Sequence, residues 1–551
     1  MRFRSTLAFS LACMAFVRGL SAQDEPAPSI FSEVVDVRVV NLEAVVTDRS
    51  GSRVTGLSAS DFKLTVDGKD VPIEYFSEIQ GGLVVDPSAG SSTAGSLSGL
   101  PSLQPGKPVS TSYLVFVDDF FPIERDRNRV IESLRAQLPL LNPEDRMAVV
   151  AYDGKRLSMI TSWSQSQTAL DKALKAASLR PAYGLQRQAD ARRYLTGRGF
   201  GAFERATFPI SDVGRRLTPE ERDYARLLTE QLTRTVGAAA ATLRSFAQPP
   251  GRKVMLLLSG GWPFDPTQVA SEDKTTPVLE SEYDRGFEIY RPLSDTANLL
   301  GYTLYPVDVP GIQQEVVDAS VQSPRSPLAP AVISDEQEVH GSLTYLAQRT
   351  GGKAMLNALR TKALGEAATD TRSYYWIGFT PTRQRDNKPH RIKLDVTRPG
   401  LSLRNRAGFL DFSRQVEVTA MVESTLLFGV TPGGAGLPVQ LGTPKKAGSG
   451  RIEVPLAVGI PVDAITVLPV GDKFVSEVEL RVATVDEDGN RAEIPVIPLK
   501  FEGEKQPEAG GMIRYDTSIK LRNKKHEILV ALYDPASGRL ITGKVEVKPG
   551  R

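Results

Sequence analysis

Tyr113-Leu-Val-Phe-Val117 followed by Asp118-Asp119-Phe120-Phe121-Pro122, and Val254-Met-Leu-Leu-Leu258 followed by Ser259-Gly260-Gly261, are the two stretches that decide the fold. Each is a short continuous apolar run closed by turn-forming residues, the pattern of a strand buried on both faces. Amphipathic helices and a third such strand, Tyr302-Thr-Leu-Tyr-Pro-Val307 closing on Asp308, lie between and after them. Strands alternating with helices predict a parallel sheet with helices on both faces, whose ligands sit beyond the carboxyl ends of the central strands. Asp118, Asp119 and Ser259 fall at that edge and are the candidate site residues.

Working outward, Met147-Ala-Val-Val-Ala-Tyr152 is a further strand. Val130, Ile131, Leu134 and Leu138 mark one helix face, ended by Pro139. Thr168 is placed to cap a helix carrying Leu170 and Leu174. Thr218-Pro219-Glu220-Glu221 reads as a capping box with Pro at the first helical position. From there Tyr224, Leu228, Leu232, Val236, Ala239, Leu243 and Phe246 recur along one face, and Pro249-Pro250-Gly251 stops the helix. Helices are also expected over 284–300 and 340–351, and a loop over 311–334. Residues 181–217, basic and rich in Gly, read as a long inserted loop with Arg187, Arg192, Arg193, Arg198 and Arg205.

The flanks read as β structure. Val35 to Val46 runs near period two with a slip at Val40-Asn41 that suggests a bulge, and Asp67-Gly68 signals a hairpin turn between 62–66 and 71–75. Tyr374-Tyr-Trp-Ile-Gly-Phe379 and Arg391-Ile-Lys-Leu-Asp-Val396 are expected to pair, the aromatic run packing rather than forming a sugar platform. From 416 onward about seven short strands with turns between them predict a β-sandwich. Asp486-Glu-Asp-Gly-Asn490 is one of those turns and lacks the distal Glu of a calcium loop.

The ends and composition narrow the function. Arg2 and Arg4, the apolar run 5–17 and the small residues at 19–22 read as a secretory signal, which implies a secreted or periplasmic protein. Cys13 is the only cysteine and lies in that signal, so the processed chain has no disulfide to rely on. The formal charge is +2, and losing Arg2, Arg4 and Arg18 leaves about −1, which argues against nucleic acid as a partner. No later segment is long and apolar enough to predict a membrane helix. The expected division is 1–22 signal, 23–33 polar leader, 34–80 β unit, 81–110 Gly/Ser/Pro linker, 111–370 α/β domain with the 181–217 insertion, 371–413 β extension and 414–551 β-sandwich. The fold class is therefore multidomain α/β plus all-β.

The order of these pieces resembles the secreted bacterial von Willebrand factor A-related proteins of acidobacterial type, over about residues 34–410. The residues behind it are Val39-Val40-Asn41-Leu42, Asp48-Arg-Ser-Gly51, Asp61-Phe62-Lys63-Leu64, Asp118-Asp119, Pro250-Gly251-Arg252-Lys253 before Leu256-Leu257-Leu258-Ser259, Tyr305-Pro306-Val307-Asp308, Tyr374 to Pro381 and His390-Arg391-Ile392. The resemblance implies an export signal, a small β unit and a doubly wound A-type domain. It also implies an adhesion site opening with Asp-x-Ser-x-Ser and completed by a later Thr-Asp-Gly-like loop. Here Asp118 matches the first Asp, but Phe120 and Pro122 stand where the serines belong, and Ser259-Gly260-Gly261 replaces the later loop. The region expected to supply a Thr ligand, near Pro181-Ala-Tyr-Gly184, has none.

One Asp and one hydroxyl are a poor offer to a cation that takes about six oxygens. No cofactor is expected, and Asp118 and Asp119 are read as caps of the following helix. Mg²⁺ or Ca²⁺ held on Asp118 is the alternative. A hydrolase built on Ser259 is a second, but Leu257 breaks the Gly-x-Ser-x-Gly pattern and the three histidines, His340, His390 and His526, lie apart in sequence. The expectation is a non-catalytic module that binds a protein or cell-surface polymer.

Overall fold

The computed structural model describes residues 39–85, 106–195, 216–246, 252–271, 278, 286–311, 329–381, 386–411, 413–428, 436–488, 490–508 and 510–548. The signal and leader, 1–33, lie outside these. Five strands come first: β1 (Val40–Thr47), β2 (Phe62–Val66), β3 (Lys69–Asp70), β4 (Tyr75–Gln80) and β5 (Leu83–Val85). Asp67 and Gly68 have φ of 49° and 80°, the positive pair that a two-residue hairpin between β2 and β3 requires. The expected 71–75 strand is instead the passage from β3 to β4. The expected linker 81–110 begins with β5, which pairs with β4, and its stretch 86–105 lies outside the described residues.

The α/β layer follows. Its elements are β6 (Thr111–Asp118), α1 (Glu124–Gln137), β7 (Arg146–Tyr152), β8 (Leu157–Ser164), α2 (Gln167–Ser178), α3 (Gly184–Leu195), α4 (Pro219–Ser245), β9 (Arg252–Ser259), α5 (Pro266–Ala270), α6 (Phe287–Leu300), β10 (Tyr302–Asp308), α7 (Ala329–Thr350) and α8 (Ala363–Asp370). The sheet order is β10-β9-β6-β7-β8, parallel except for the antiparallel edge strand β8. β6 is central, so both faces of its side chains are buried. Tyr113, Val115 and Val117 join the core under α1, α2 and α8, and Leu114 and Phe116 join the core under α4 and α6. Each such side chain contributes about 1.5–3 kcal/mol on burial. The chain goes from β6 to β7 on one side and returns to β9 on the other, which puts the switch point between β6 and β9.

Several local expectations change. α2 is capped by Ser166, whose Oγ accepts the Ala169 N–H at 3.3 Å, and Thr168 lies in its first turn. The 181–217 insertion opens with α3, while 196–215 lie outside the described residues. Its sequence has helix formers and an Arg187–Asp190 pair at 2.7 Å, but little apolar period to reveal it. α7 starts at Ala329, eleven residues before the expected start, and 312–328 lie outside the described residues. α4 begins at the expected box: the Glu221 N–H donates to Thr218 Oγ1 at 3.3 Å and the Thr218 N–H to Glu221 Oε2 at 2.7 Å.

After the α/β layer the chain returns to the first strands. β11 (Tyr374–Phe379), β12 (Pro389–Val396), β13 (Ser402–Arg404) and β14 (Gly408–Leu410) do not form a separate extension. β11 lies between β1 and β4, and β12 lies between β2 and β14. The expected pairing of 374–379 with 391–396 is therefore wrong, and the N-terminal unit and the extension are one pair of sheets around a shared core. The pairing of Val40–Ala44 with Phe379–Tyr375 runs without a slip, so no bulge occurs there. Both faces of β11 are buried, Tyr375, Ile377 and Phe379 in that core and Tyr374 and Trp376 in a second one.

The C-terminal part starts with a helix, α9 (Arg414–Phe428), where strands were expected. Val418, Val422 and Leu426 repeat every four residues and pack on Ala483, Leu529 and Tyr533. Then come β15 (Val439–Leu441), β16 (Lys445–Lys446), β17 (Arg451–Pro461), β18 (Leu468–Val470), β19 (Lys473–Asp486), β20 (Val496–Gly503), β21 (Met512–Arg522), β22 (His526–Asp534) and β23 (Arg539–Val547). One sheet holds β15, β17, β16 and β21, the other β18, β19, β20, β22 and β23. Alternate residues of β17, β19 and β22 meet in one core. Among the described residues no helix is long and apolar enough to cross a membrane.

Candidate functional site

The carboxyl edge of the sheet is formed by the loops after β6, β7, β9 and β10. Asp118 ends β6 and is fully buried. Its Oδ1 accepts the N–H groups of Phe120 at 2.8 Å and Phe121 at 3.2 Å. Its Oδ2 accepts the Gly260 N–H at 3.1 Å and the indole N–H of Trp262 at 2.8 Å. Burial pushes the carboxyl up to about 6, against the pull of those four donors.

The two strand-end loops close on each other. A Cβ on Gly260 would fall 2.3 Å from Pro122 Cδ and 2.6 Å from Phe121 Cβ, so only Gly fits there. Trp262 is fully buried and stacks on Tyr290, and its carbonyl accepts the Ser342 hydroxyl. Phe121 and Pro122 thus close on Gly260 beside Asp118, while Phe120 packs on Gly154 and under Arg187.

Asp119 is also fully buried, held at 2.6 Å by Arg127 and at 2.6 Å by Arg180. Arg127 donates as well to the carbonyls of Ser178 and Arg180 at the end of α2, where a cation is favoured. The Asp119 carbonyl accepts the Tyr183 N–H, and the Pro122 carbonyl the Gly184 N–H, so α3 hangs on this loop. The expected helix cap is not made by either aspartate. The residue before α1 is Ile123, which has no side-chain cap. Asp118 instead closes its own turn and ties β6 to β9, and Asp119 ties the loop to α1 and α2.

Ser259 ends β9, fully buried, with its Oγ accepting the Trp262 N–H at 3.4 Å. Its neighbour on β10, Asp308, accepts the Gly311 N–H at 3.2 Å and lies 3.3 Å from His340 Nε2. Glu336 is 3.7 Å from the same nitrogen. This Asp308–His340 pair was not visible in the sequence, because α7 began far from where it was expected. No hydrogen bond joins His340 to Ser259 among the described residues, so no serine–histidine pair is assembled.

The four hydrogen bonds of Asp118 come from N–H donors, and Asp119 is committed to two guanidinium groups. Among the described residues no group of three His, Cys, Asp or Glu is placed to hold a metal. At the 486–490 turn Asp486 accepts from the backbone of Asp488 and from Asn490.

No family model matches the chain, and no curated protein matches it. Some solved structures overlap parts of it. A calcium-binding mutant of Bacteroides uniformis β-glucuronidase 2 does so at 9% identity over 21% of this chain and 13% of that one, with a TM-score of 0.15. A Bacteroides uniformis β-glucuronidase does so at 10% identity over 33% and 19%, TM-score 0.15. A Northeast Structural Genomics Consortium target does so at 10% identity over 20% and 83%, TM-score 0.13. Likeness at that level bears on neither fold family nor chemistry.

Proposed function

We propose that the chain is an exported, non-catalytic binding protein. Its α/β layer is of von Willebrand factor A type and meets a protein or surface polymer through its carboxyl-edge loops, without a bound cation. The observation that carries this reading is the saturation of Asp118 by four N–H donors beneath Phe121, Pro122 and Trp262. A sheet whose first strand is central, with its switch point between β6 and β9, supports the A-type assignment. The loops offer contact surface of mixed character. Leu179 and Leu185 are 78% and 67% exposed, and α3 adds Arg192 and Arg193 in exposed positions. Such apolar and Arg-bearing surface is common at binding sites.

Titration of Mg²⁺ and Ca²⁺ into the mature chain by calorimetry tests the reading. Heats of dilution alone are expected, the same for the parent and for Asp118→Ala. Saturable binding that Asp118→Ala abolishes would replace it with the metal-dependent adhesion module.

A further inference from the structure

A cavity of about 400 Å³ lies between the α/β layer and the C-terminal sheets, beside the carboxyl-edge loop that follows β7. Its volume is in the range of small-molecule sites, roughly 300–1,000 Å³. The β7–β8 turn supplies Lys155 and Arg156 to one wall, and α4 supplies Arg234. The opposite wall is α9, the turn after β19 and the adjoining strands.

The charges of the two walls differ in how they are used. Asp486 is taken up by its own turn, Asp488 pairs with Lys524, and Glu527 pairs with Lys544 at 2.8 Å. Lys525 pairs with Glu546 at 3.0 Å. Arg491 shares Glu423 with Arg244, so one carboxylate serves two guanidinium groups. Lys155, Arg156 and Arg234 are different: their side chains have no hydrogen bond or ion pair among the described residues. Glu487 is the one lining carboxylate in the same state. Three cations without a partner therefore line the recess against one such anion. Unpaired cations on open surface are simply solvated, but in a recess with apolar walls their field is focused. Leu157, Ala238 and Leu426 supply such walls.

We propose that this cavity binds a small organic oxyanion. Its carboxylate or phosphate end meets Lys155, Arg156 and Arg234, and its apolar body lies against Leu157, Ala238 and Leu426. The site shares the turn after β7 with the carboxyl edge but uses none of the groups around Asp118.

Calorimetry on the full mature chain with phenyl phosphate, phenylacetate, inorganic phosphate and benzyl alcohol tests it. Saturable binding of phenyl phosphate or phenylacetate is expected, at least about tenfold tighter than inorganic phosphate or benzyl alcohol. The tighter of the two identifies the anionic group. Added salt weakens the binding. The triple variant Lys155→Gln, Arg156→Gln, Arg234→Gln changes only exposed side chains, so its Tm stays at the parent value while affinity falls at least about tenfold. The proposal is overturned if neither organic anion binds, if inorganic phosphate binds as tightly as they do, or if the triple variant binds as tightly as the parent.

Discussion

Asp118 serves four N–H donors with one buried carboxylate, and that arrangement has a pH signature. Its folded pKa is about 6, whereas an aspartate in an unfolded chain titrates near 3.9. The folded state binds this proton more tightly, so the stability it contributes is complete below about pH 4 and is lost as pH rises through about 6. The loss amounts to roughly 3 kcal/mol. Asp118→Ala removes that dependence and strands four donors, at about 1–3 kcal/mol for each one that water does not reach. Urea unfolding from pH 4 to 7 is expected to show a variant less stable by about 2–5 kcal/mol at pH 7 and flatter with pH. An unchanged slope would count against the role given to Asp118. The positions of Asp118, Asp119 and Ser259 were legible because strand ends mark the ligand edge of such a sheet. Their partners were not. Trp262 reaches Asp118 across 144 residues, and no local pattern announces that contact.

Elements with strong local signals matched their sequence. α4 has a capping box, Pro at its first position and a long apolar face, and it starts at Pro219 as expected. Thr218→Ala is expected to cost about 1 kcal/mol, read as a lower midpoint of thermal or denaturant unfolding, because the Glu221 N–H loses its acceptor. A cost below a few tenths would show that tertiary packing alone sets that end of the helix. α3, the start of α7 and α9 were missed for separate reasons. α3 is mostly exposed, so it has little apolar period to detect. α9 carries Val418 and Val422, β-branched residues that favour strands, and its four-residue spacing becomes decisive only once it packs on β19 and β22.

Segments far apart in the chain belong together in the fold. The sequence divides naturally into a β unit, an α/β domain and a β extension, yet β1 to β5 and β11 to β14 form a single pair of sheets with the α/β layer between them in the chain. Strand pairing across some three hundred residues leaves no trace in spacing or composition. A buried network adds to the join: Asp370, at the end of α8, accepts from Arg53, from Arg404 of β13 and from Tyr305 of β10. Binding experiments therefore call for a chain that keeps β1 and β4, since a fragment beginning at residue 111 would leave β11 without both neighbours. The parallel sheet was anticipated, and β6 and β9 are neighbours in it. In the proposed reading this edge is closed by protein groups where an adhesion module would grip a cation. Crystals of the mature chain soaked in Mn²⁺ test it through the anomalous difference map. No peak is expected within coordination distance of Asp118, with the Trp262 indole still donating to its carboxylate. A Mn²⁺ peak on Asp118 with the indole displaced would contradict it.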